Sequence, residues 1–405
     1  MKPETFDIIR QMLPLLEQHG EQLADRFYKN MFRNNPEVNV FFNPAHQQSG
    51  AQQHALAAAI CAYVRHIDNP EQLRQAFEVI FHKHVSLGIK PEHYPIVGNN
   101  LLLTLREVLG EAATAEVIES WTEAYGVLAG IFIDQEDDLY QQQQSKHGWN
   151  GFKAFNLIRR HSESSNITSF YLRPRDSKPL KAYLPGQYIT LKVKLADGSQ
   201  AMRNYSLSSA PREDYFRISV KKHAGELPDH PGGVVSNRLH DHVQVGDQLL
   251  LAPPIGNFIL RLPEAVNTPV VFIAGGVGIT PLLAMLHCGL AHEPERSFTL
   301  IQLARNNNVL SFYEELSVLA HTYPNFQWHI RLSQPYGFQS KRLHHSEGYI
   351  DKALLEHLVP EPEANYYLCG PAAMMRTTMA VLKERGVDSS SIAAEFFGPS
   401  QCLSD

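Results

Sequence analysis

Hydrophobic periodicity changes twice along these 405 residues, and the two changes restrict the chain to a small set of architectures. From Met1 to about Ser145 apolar side chains recur every three or four residues, as in Ile9, Leu13 and Leu16, and in Val117, Trp121, Tyr125, Leu128 and Phe132. That spacing predicts an all-helical first third. Turn formers at Gly20, Asn34-Asn35-Pro36, Asn43-Pro44, Asp68-Asn69-Pro70 and Lys90-Pro91 predict the breaks between helices. The polar run Gln141 to Gln144, followed by Ser145-Lys146, predicts the end of the last helix and a linker. From about Trp149 the texture becomes short strand-like runs such as Gln187 to Val193 and Tyr215 to Val220, parted by turns such as Asp197-Gly198. An antiparallel β-barrel is predicted there. After Pro263 apolar strands alternate with helices: Pro269 to Ala274 and a helix from Pro281, Phe298 to Leu303 and a helix near Ser311, Asn365 to Leu368 and a helix from Pro371. This predicts an α/β domain on a parallel sheet with helices on both faces. The expected division is 1–145, 149–262 and 268–405.

A chain of this length exceeds one ordinary core, which agrees with a multidomain reading. The net charge of -6 supplies no basic field, so nucleic acid is not an expected partner. Cys61, Cys288, Cys369 and Cys402 are far apart and contain no Cys-x-x-Cys pair, so they read as reduced thiols. Glu4, Asp7, Arg10 and Glu17 interrupt the first twenty residues, which excludes the apolar core of a signal peptide. No apolar run approaches the ~18 residues of a membrane span. A cytoplasmic monomer is the resulting expectation.

Among 20 histidines, His84 stands on an apolar helical stretch with Tyr28, Phe42, Gln52 and Leu56 upstream and Tyr94 and Glu136 downstream. A helical haem protein needs one neutral imidazole as iron ligand and hydrogen-bond donors on the opposite face. His82, His54 and His93 compete with His84 for that role, and a helical histidine taken alone is usually structural.

Farther along, Arg203-Asn204-Tyr205-Ser206 combines a cation for a phosphate, a phenol to lie along a flavin and a hydroxyl for its ring edge. Pro185-Gly186-Gln187-Tyr188 precedes it and Gly232-Gly233-Val234-Val235-Ser236-Asn237 follows, where Ser236 to Leu239 can open a helix toward a pyrophosphate. Gly275-Gly276-Val277-Gly278 follows the apolar strand Val270 to Ala274, with Thr280 reading as the cap of the next helix and Pro281 as its first residue. Such a loop presents unpaired N–H groups to a dinucleotide. Cys369-Gly370-Pro371 repeats the same strand-end pattern, and Glu395-Phe396-Phe397-Gly398-Pro399 lies near the C-terminus.

Residues 1 to 140 resemble the globin domain of flavohaemoglobins, through His84-x9-Tyr94, Tyr125-Gly126-Val127-Leu128-Ala129 and Glu136. Residues 150 to 405 resemble the ferredoxin-NADP reductase family in the order of the motifs above. The resemblance implies haem b held by His84, with Tyr94 and Glu136 hydrogen-bonding around the proximal imidazole. Tyr28 would be the distal hydrogen-bond donor, Phe42 would pack on the haem face, and Gln52 and Leu56 would belong to the distal helix. Lys83 and Glu395 would be charges near the haem–flavin junction.

FAD would be held by Tyr188, Arg203, Asn204, Tyr205, Ser206, Gly233, Val235, Ser236, Phe396, Phe397, Gly398 and Pro399, with Phe397 stacking on the ring. NAD(P)H would meet Gly276, Val277, Gly278, Ile279, Thr280, Pro281, Cys369, Gly370 and Pro371, with Cys369 a neighbour of the nicotinamide and not a nucleophile. The activity implied is nitric oxide dioxygenase, in which nitric oxide, O2 and NAD(P)H give nitrate and NAD(P)+. A haem-based gas sensor or oxygen-binding module, and an NAD(P)H-dependent reductase of oxygen or hydroperoxides, are the alternatives. Arg305 follows a strand where a 2′-phosphate would lie, and the choice between NADH and NADPH stays open.

Overall fold

The computed structural model describes residues 1–43, 47, 50–225, 232–262, 268–336 and 345–397. Two compact units are present, one built on Met1–Gly151 and the other on Phe152–Leu195 with Arg203–Phe397. The first contains α1 (Pro3–Gln11), α2 (Leu13–Asn34), α3 (Ala51–Arg65), α4 (Pro70–Leu87), α5 (Tyr94–Leu109) and α6 (Ala115–His147). Their apolar faces meet in a core that includes Leu16, Leu73, Phe77, Leu105, Trp121 and Phe132.

Local chemistry sets the ends of α4, the helix that carries His84. The Asn69 side chain accepts the Gln72 N–H, Pro70 occupies the first turn, and Gly88 closes the helix in the left-handed conformation. His84 therefore sits in the last turn. Helix α6 starts at Thr114, whose hydroxyl accepts the Val117 N–H, and closes on Gly148. It runs three residues past Gln144, so the glutamine run is helical and the linker expected at Ser145-Lys146 is not there. Gln is a fair helix former, and the helix stops where glycine supplies a positive φ.

Gly20 also departs from expectation, because α2 passes through it unbroken. A Cβ at Gly20 would lie 3.2 Å from the Cβ of Ala57 on α3. The absent side chain serves a close helix crossing, which offsets a propensity cost of ~1 kcal/mol. The breaks at Asn34-Asn35-Pro36, Asp68-Asn69-Pro70 and Lys90-Pro91 fall between helices, while Pro44 lies outside the described residues.

The second unit opens with β1 (Lys153–Ser162), β2 (Ile167–Pro174), β3 (Tyr188–Lys194), β4 (Gln200–Ser206), β5 (Phe216–Lys221), α7 (Val234–Asp241) and β6 (Gln248–Leu251). The strand order is β4-β3-β6-β1-β2-β5, with antiparallel pairing of β1 to β2, β1 to β6, β2 to β5 and β3 to β6. An antiparallel bridge from Leu207, just beyond β4, to Ile218 on β5 joins the two ends of that order. The sheet is thereby closed into a barrel, filled by alternate residues such as Phe155 and Leu157, Ile189 and Leu191, Phe216 and Ile218.

The remaining elements are β7 (Val270–Gly275), α8 (Ile279–His292), β8 (Phe298–Ala304), α9 (Tyr313–Thr322), β9 (Phe326–Leu332), β10 (His345–Glu347), α10 (Lys352–Leu358), β11 (Asn365–Cys369), α11 (Ala372–Glu384) and β12 (Ile392–Glu395). They form a parallel sheet in the order β10-β9-β8-β7-β11-β12. Every residue of β7 is buried, as the centre of a parallel sheet requires. The chain leaves β7 on one side for β8 to β10 and returns on the other as β11. Open parallel sheets bind ligands at such a reversal, outside the carboxyl ends of the strands.

Candidate functional site

Three helices bring one polar cluster together inside the helical core. His84 comes from α4, Tyr94 is the first residue of α5, and Glu136 lies in the middle of α6. Glu136 Oε1 lies 2.7 Å from His84 Nδ1 and accepts the Tyr94 hydroxyl at 2.6 Å, with its side chain only 4% exposed. A carboxylate only accepts, so Nδ1 carries the proton and the lone pair of Nε2 is left for a metal. Among the described residues no protein group bonds Nε2. Burial, reinforced by the Glu136 carboxylate, drives the Tyr94 phenol far above its ordinary value, so it is a neutral donor.

The contacts that support this cluster are not visible in the sequence motifs, although Tyr125 lies in one of them. Tyr125 donates to the Tyr94 carbonyl at 2.7 Å, Tyr140 donates to the Ile89 carbonyl at 2.6 Å, and the Phe132 ring lies 5.7 Å from that of His84. An aromatic at helical spacing reads as core packing, and nothing local records which distant backbone its hydroxyl meets. The competing histidines separate by position. His54 pairs with Glu21 on the exposed surface, and His93 accepts the Lys90 N–H at 2.8 Å. His82 is two residues from His84, about 200° around the helix.

In a separate cluster, Tyr28 of α2 is buried with Phe27, Met31 and Val38, against Phe42 and Leu56. The Tyr28 and Phe42 rings meet edge to face at 5.7 Å. Burial raises the Tyr28 phenol, and a hydrogen bond with Gln52 opposes that rise. The neighbouring Gln53 turns instead to the Gln47 carbonyl at 3.2 Å, which places Gln52 toward Tyr28. Leu101 of α5 packs against both this cluster and the core around His84. One hydroxyl and one amide thus meet beside an otherwise apolar cluster. Lys83 is half-buried beside His84, and Glu395 ends β12 in register with Cys369.

In the barrel, Tyr188 opens β3 and Arg203, Asn204, Tyr205 and Ser206 close β4. The Asn204 Oδ1 accepts the Thr190 hydroxyl at 2.8 Å, and burial lowers the pKa of Arg203. Helix α7 begins after Gly233, with Val235 and Ser236 in its first turn, two residues before the start expected at Ser236. The Ser236 hydroxyl donates to the Gly233 carbonyl at 3.1 Å, so no side chain caps the leading N–H groups and they remain available to an anion. Phe396 and the exposed Phe397 follow β12, while Gly398 and Pro399 lie outside the described residues.

At the reversal of the parallel sheet the two strand-end loops touch. A Cβ on Gly278 would lie 2.2 Å from the Cys369 carbonyl, and one on Gly275 would lie 2.4 Å from Met374 Sδ. The expectation that Thr280 caps a helix beginning at Pro281 is corrected. Gly276–Gly278 forms a 3-10 turn, α8 begins at Ile279, and the Thr280 hydroxyl donates back to the Val277 carbonyl at 2.9 Å. The tight glycine turn starts the helix early and leaves Thr280 buried within its first turn. Pro371 caps α11. Cys369 is fully buried, and burial with the nearby Glu395 carboxylate pushes its thiol well up, so it stays protonated.

Comparison with known proteins agrees with the domain types and their order. Residues 25–132 match the globin family, 154–259 the oxidoreductase FAD-binding domain and 272–380 the oxidoreductase NAD-binding domain. A flavohemoprotein of Rhodopirellula baltica is 44% identical over 405 residues, covering 100% of this chain and 99% of the relative. The chain belongs to the flavohemoprotein family. Another flavohemoprotein, from Halalkalibacterium halodurans, is 41% identical over 406 residues, covering 100% and 98% of the two chains. The crystal structure of a flavohemoglobin from Malassezia yamatoensis with bound FAD and heme is 26% identical, with a TM-score of 0.84 over 98% of this chain and 99% of that one. The FAD/NAD-binding domain of a nitric oxide dioxygenase from Vibrio cholerae is 31% identical, with a TM-score of 0.55 over 61% of this chain and 99% of that one. This flavohemoprotein thus joins a haem-binding globin to FAD- and NAD-binding oxidoreductase domains. No helix among its described residues is long and apolar enough to cross a membrane.

Proposed function

We propose that this chain is a nitric oxide dioxygenase, converting two nitric oxide and two O2, with one NAD(P)H, to two nitrate, NAD(P)+ and a proton. The observation that carries this reading is the buried Glu136 carboxylate shared by His84 Nδ1 and Tyr94. Haem supplies the iron at which oxygen and nitric oxide combine, and NAD(P)H and FAD supply electrons to it. His84 presents Nε2 as the iron ligand, and Glu136, drawing on the Nδ1 proton, raises the basicity of that nitrogen. A more basic ligand favours oxygen activation over storage. Tyr94 holds Glu136 in place.

With haem bound, Tyr28 would offer its hydroxyl as a hydrogen-bond donor to dioxygen, Gln52 would orient that hydroxyl, and Phe42 and Leu56 would exclude water. Arg203 and the first turn of α7 neutralise FAD phosphates, with Tyr188, Tyr205, Ser206, Phe396 and Phe397 about the flavin. The Gly276–Gly278 turn and Cys369-Gly370-Pro371 receive the nicotinamide. Lys83 and Glu395 place charge near the haem and the flavin. The unpaired thiols of Cys61, Cys288 and Cys369 suit a reducing compartment, so a cytoplasmic location is part of the proposal.

The test is rapid mixing of reduced, air-equilibrated holoprotein with nitric oxide while nitrate is quantified. Prompt stoichiometric nitrate, with cycling under NAD(P)H, is expected, whereas nitrate-free decay would favour the sensor or the reductase of other acceptors. The Tyr28→Phe variant should release oxygen roughly fivefold faster, since one hydrogen bond contributes about 1 kcal/mol. Flash photolysis or stopped-flow displacement measures this, and an unchanged off-rate removes Tyr28 from the oxygen site.

A further inference from the structure

Within the second unit, the barrel and the parallel sheet are joined by a partly buried polar chain that lies outside the cofactor motifs. Arg217 on β5, its side chain 7% exposed, donates from Nη1 to Glu315 Oε2 at 2.8 Å and from Nη2 to Glu315 Oε1 at 3.0 Å. Glu315 stands in the first turn of α9, and its Oε1 also lies 2.5 Å from His287 Nε2 on α8. Behind the guanidinium, Nε donates to the Ser208 hydroxyl at 3.2 Å, and hydroxyl contacts of 2.8 and 2.7 Å continue through Ser219 to Ser169. Ser169 ends the chain on Glu163 at 2.5 Å. The Phe312 ring lies 5.5 Å from the guanidinium, and its residue holds a left-handed φ of 60°. A non-glycine residue adopts that conformation only where its surroundings impose it.

An ion pair with one side chain buried and the other about a quarter exposed adds little net stability over apolar packing, because desolvation offsets the attraction. Its strength is geometric: a bidentate pair holds two planar groups in one relative orientation. Here each anchor lies close in sequence to one of the two cofactor motifs. The Ser208 N–H donates to the Arg217 carbonyl at 2.9 Å, two residues beyond Ser206. On the other side, His287 lies about two and a half turns along the helix that begins just after Gly276–Gly278. A second tie, from Ser165 N–H to the Asn308 carbonyl at 2.8 Å, joins the β1–β2 turn to the loop before α9. Burial favours the neutral acid of Glu315, yet hydrogen bonds from His287 and Arg217 hold it at about 2, so the pair is charged at neutral pH.

We propose that Arg217, Glu315 and His287 are positioning residues that set the approach of nicotinamide to flavin by locking the barrel to the nucleotide sheet. The proposal rests on the reading that hydride passes between those two cofactors in this chain. Anaerobic stopped-flow mixing of full-length holoprotein with NADH or NADPH tests it on Glu315→Gln. The limiting rate of flavin reduction should fall about tenfold to hundredfold, the range that a misplacement of about 1 Å produces. FAD content and the haem spectrum should match wild type, and 4-deuterated nucleotide should show a larger isotope effect as hydride transfer becomes limiting. A merely structural contact would lower the melting temperature or FAD occupancy and leave the limiting rate alone, and a rate within twofold of wild type overturns the proposal. If Glu315→Gln yields no holoprotein, the comparison passes to His287→Ala, with a smaller loss of the same sign expected. Failure of wild-type flavin to accept hydride from either nucleotide would instead remove the underlying hydride-transfer reading.

Discussion

Full-length His84→Ala protein is expected to purify without haem while still reducing ferricyanide with NAD(P)H. Among the described residues, His84 is the one imidazole whose Nδ1 is held by a buried carboxylate, leaving Nε2 for iron, and His54, His82 and His93 cannot take its place for the reasons of position given above. Its loss also leaves Glu136 with the Tyr94 hydroxyl as its hydrogen-bond partner in a site almost closed to water. An under-satisfied buried acceptor costs about 1–3 kcal/mol, so a modest drop in the melting temperature of the globin should accompany the missing haem. Absorbance of the purified protein and FAD released on denaturation measure the two halves separately. Haem bound at wild-type stoichiometry would remove His84 as ligand, and simultaneous loss of FAD would show that the halves do not fold independently.

Gly278→Ala is expected to suppress nucleotide-driven flavin reduction at least about 100-fold while dithionite still reduces flavin and haem. The new Cβ would meet backbone on the facing loop: 2.2 Å to the Cys369 carbonyl oxygen and 2.7 Å to the Gly370 nitrogen. No flexible side chain can yield there, so β7 and β11 must part at the crevice where the nicotinamide is proposed to sit. Overpacking of this kind costs about 1–3 kcal/mol. Gly276→Ala is the useful contrast, because its φ of 54° strains any other residue but nothing lies within 4 Å of its Cβ. That substitution should cost roughly 1–2 kcal/mol of backbone energy without blocking the crevice. Nucleotide titration and thermal denaturation of both variants make the comparison, and wild-type hydride kinetics in Gly278→Ala would show that the two loops tolerate separation.

Much of the architecture was legible because periodicity is a local property. A face every 3.6 residues or every two identifies an element without knowledge of its partner, and the three textures therefore reported helices, barrel strands and alternating α/β elements in the right order. Element ends were less legible. Gly20 resembles a break until Ala57 is seen against it, and Thr280 resembles a cap until the glycine turn is seen to start the helix two residues earlier than expected.

Chemical identity followed the same division. Residue type and spacing marked the glycine loops, whereas His84, Tyr94, Glu136 and Tyr28 stood out through the resemblance to flavohaemoglobins. No motif marked Tyr140 or the link from Arg217 to Glu315, whose partners are 51 and 98 residues away, and the motif that contains Tyr125 did not show the backbone 31 residues away that its hydroxyl meets. Sequence alone determined which chemical groups this protein possesses and which face of each element buries them, because both depend on neighbours within a few residues. Tertiary structure alone decided which groups touch: a hydrogen bond needs its atoms within about 3 Å, and only the packing of distant elements brings them there.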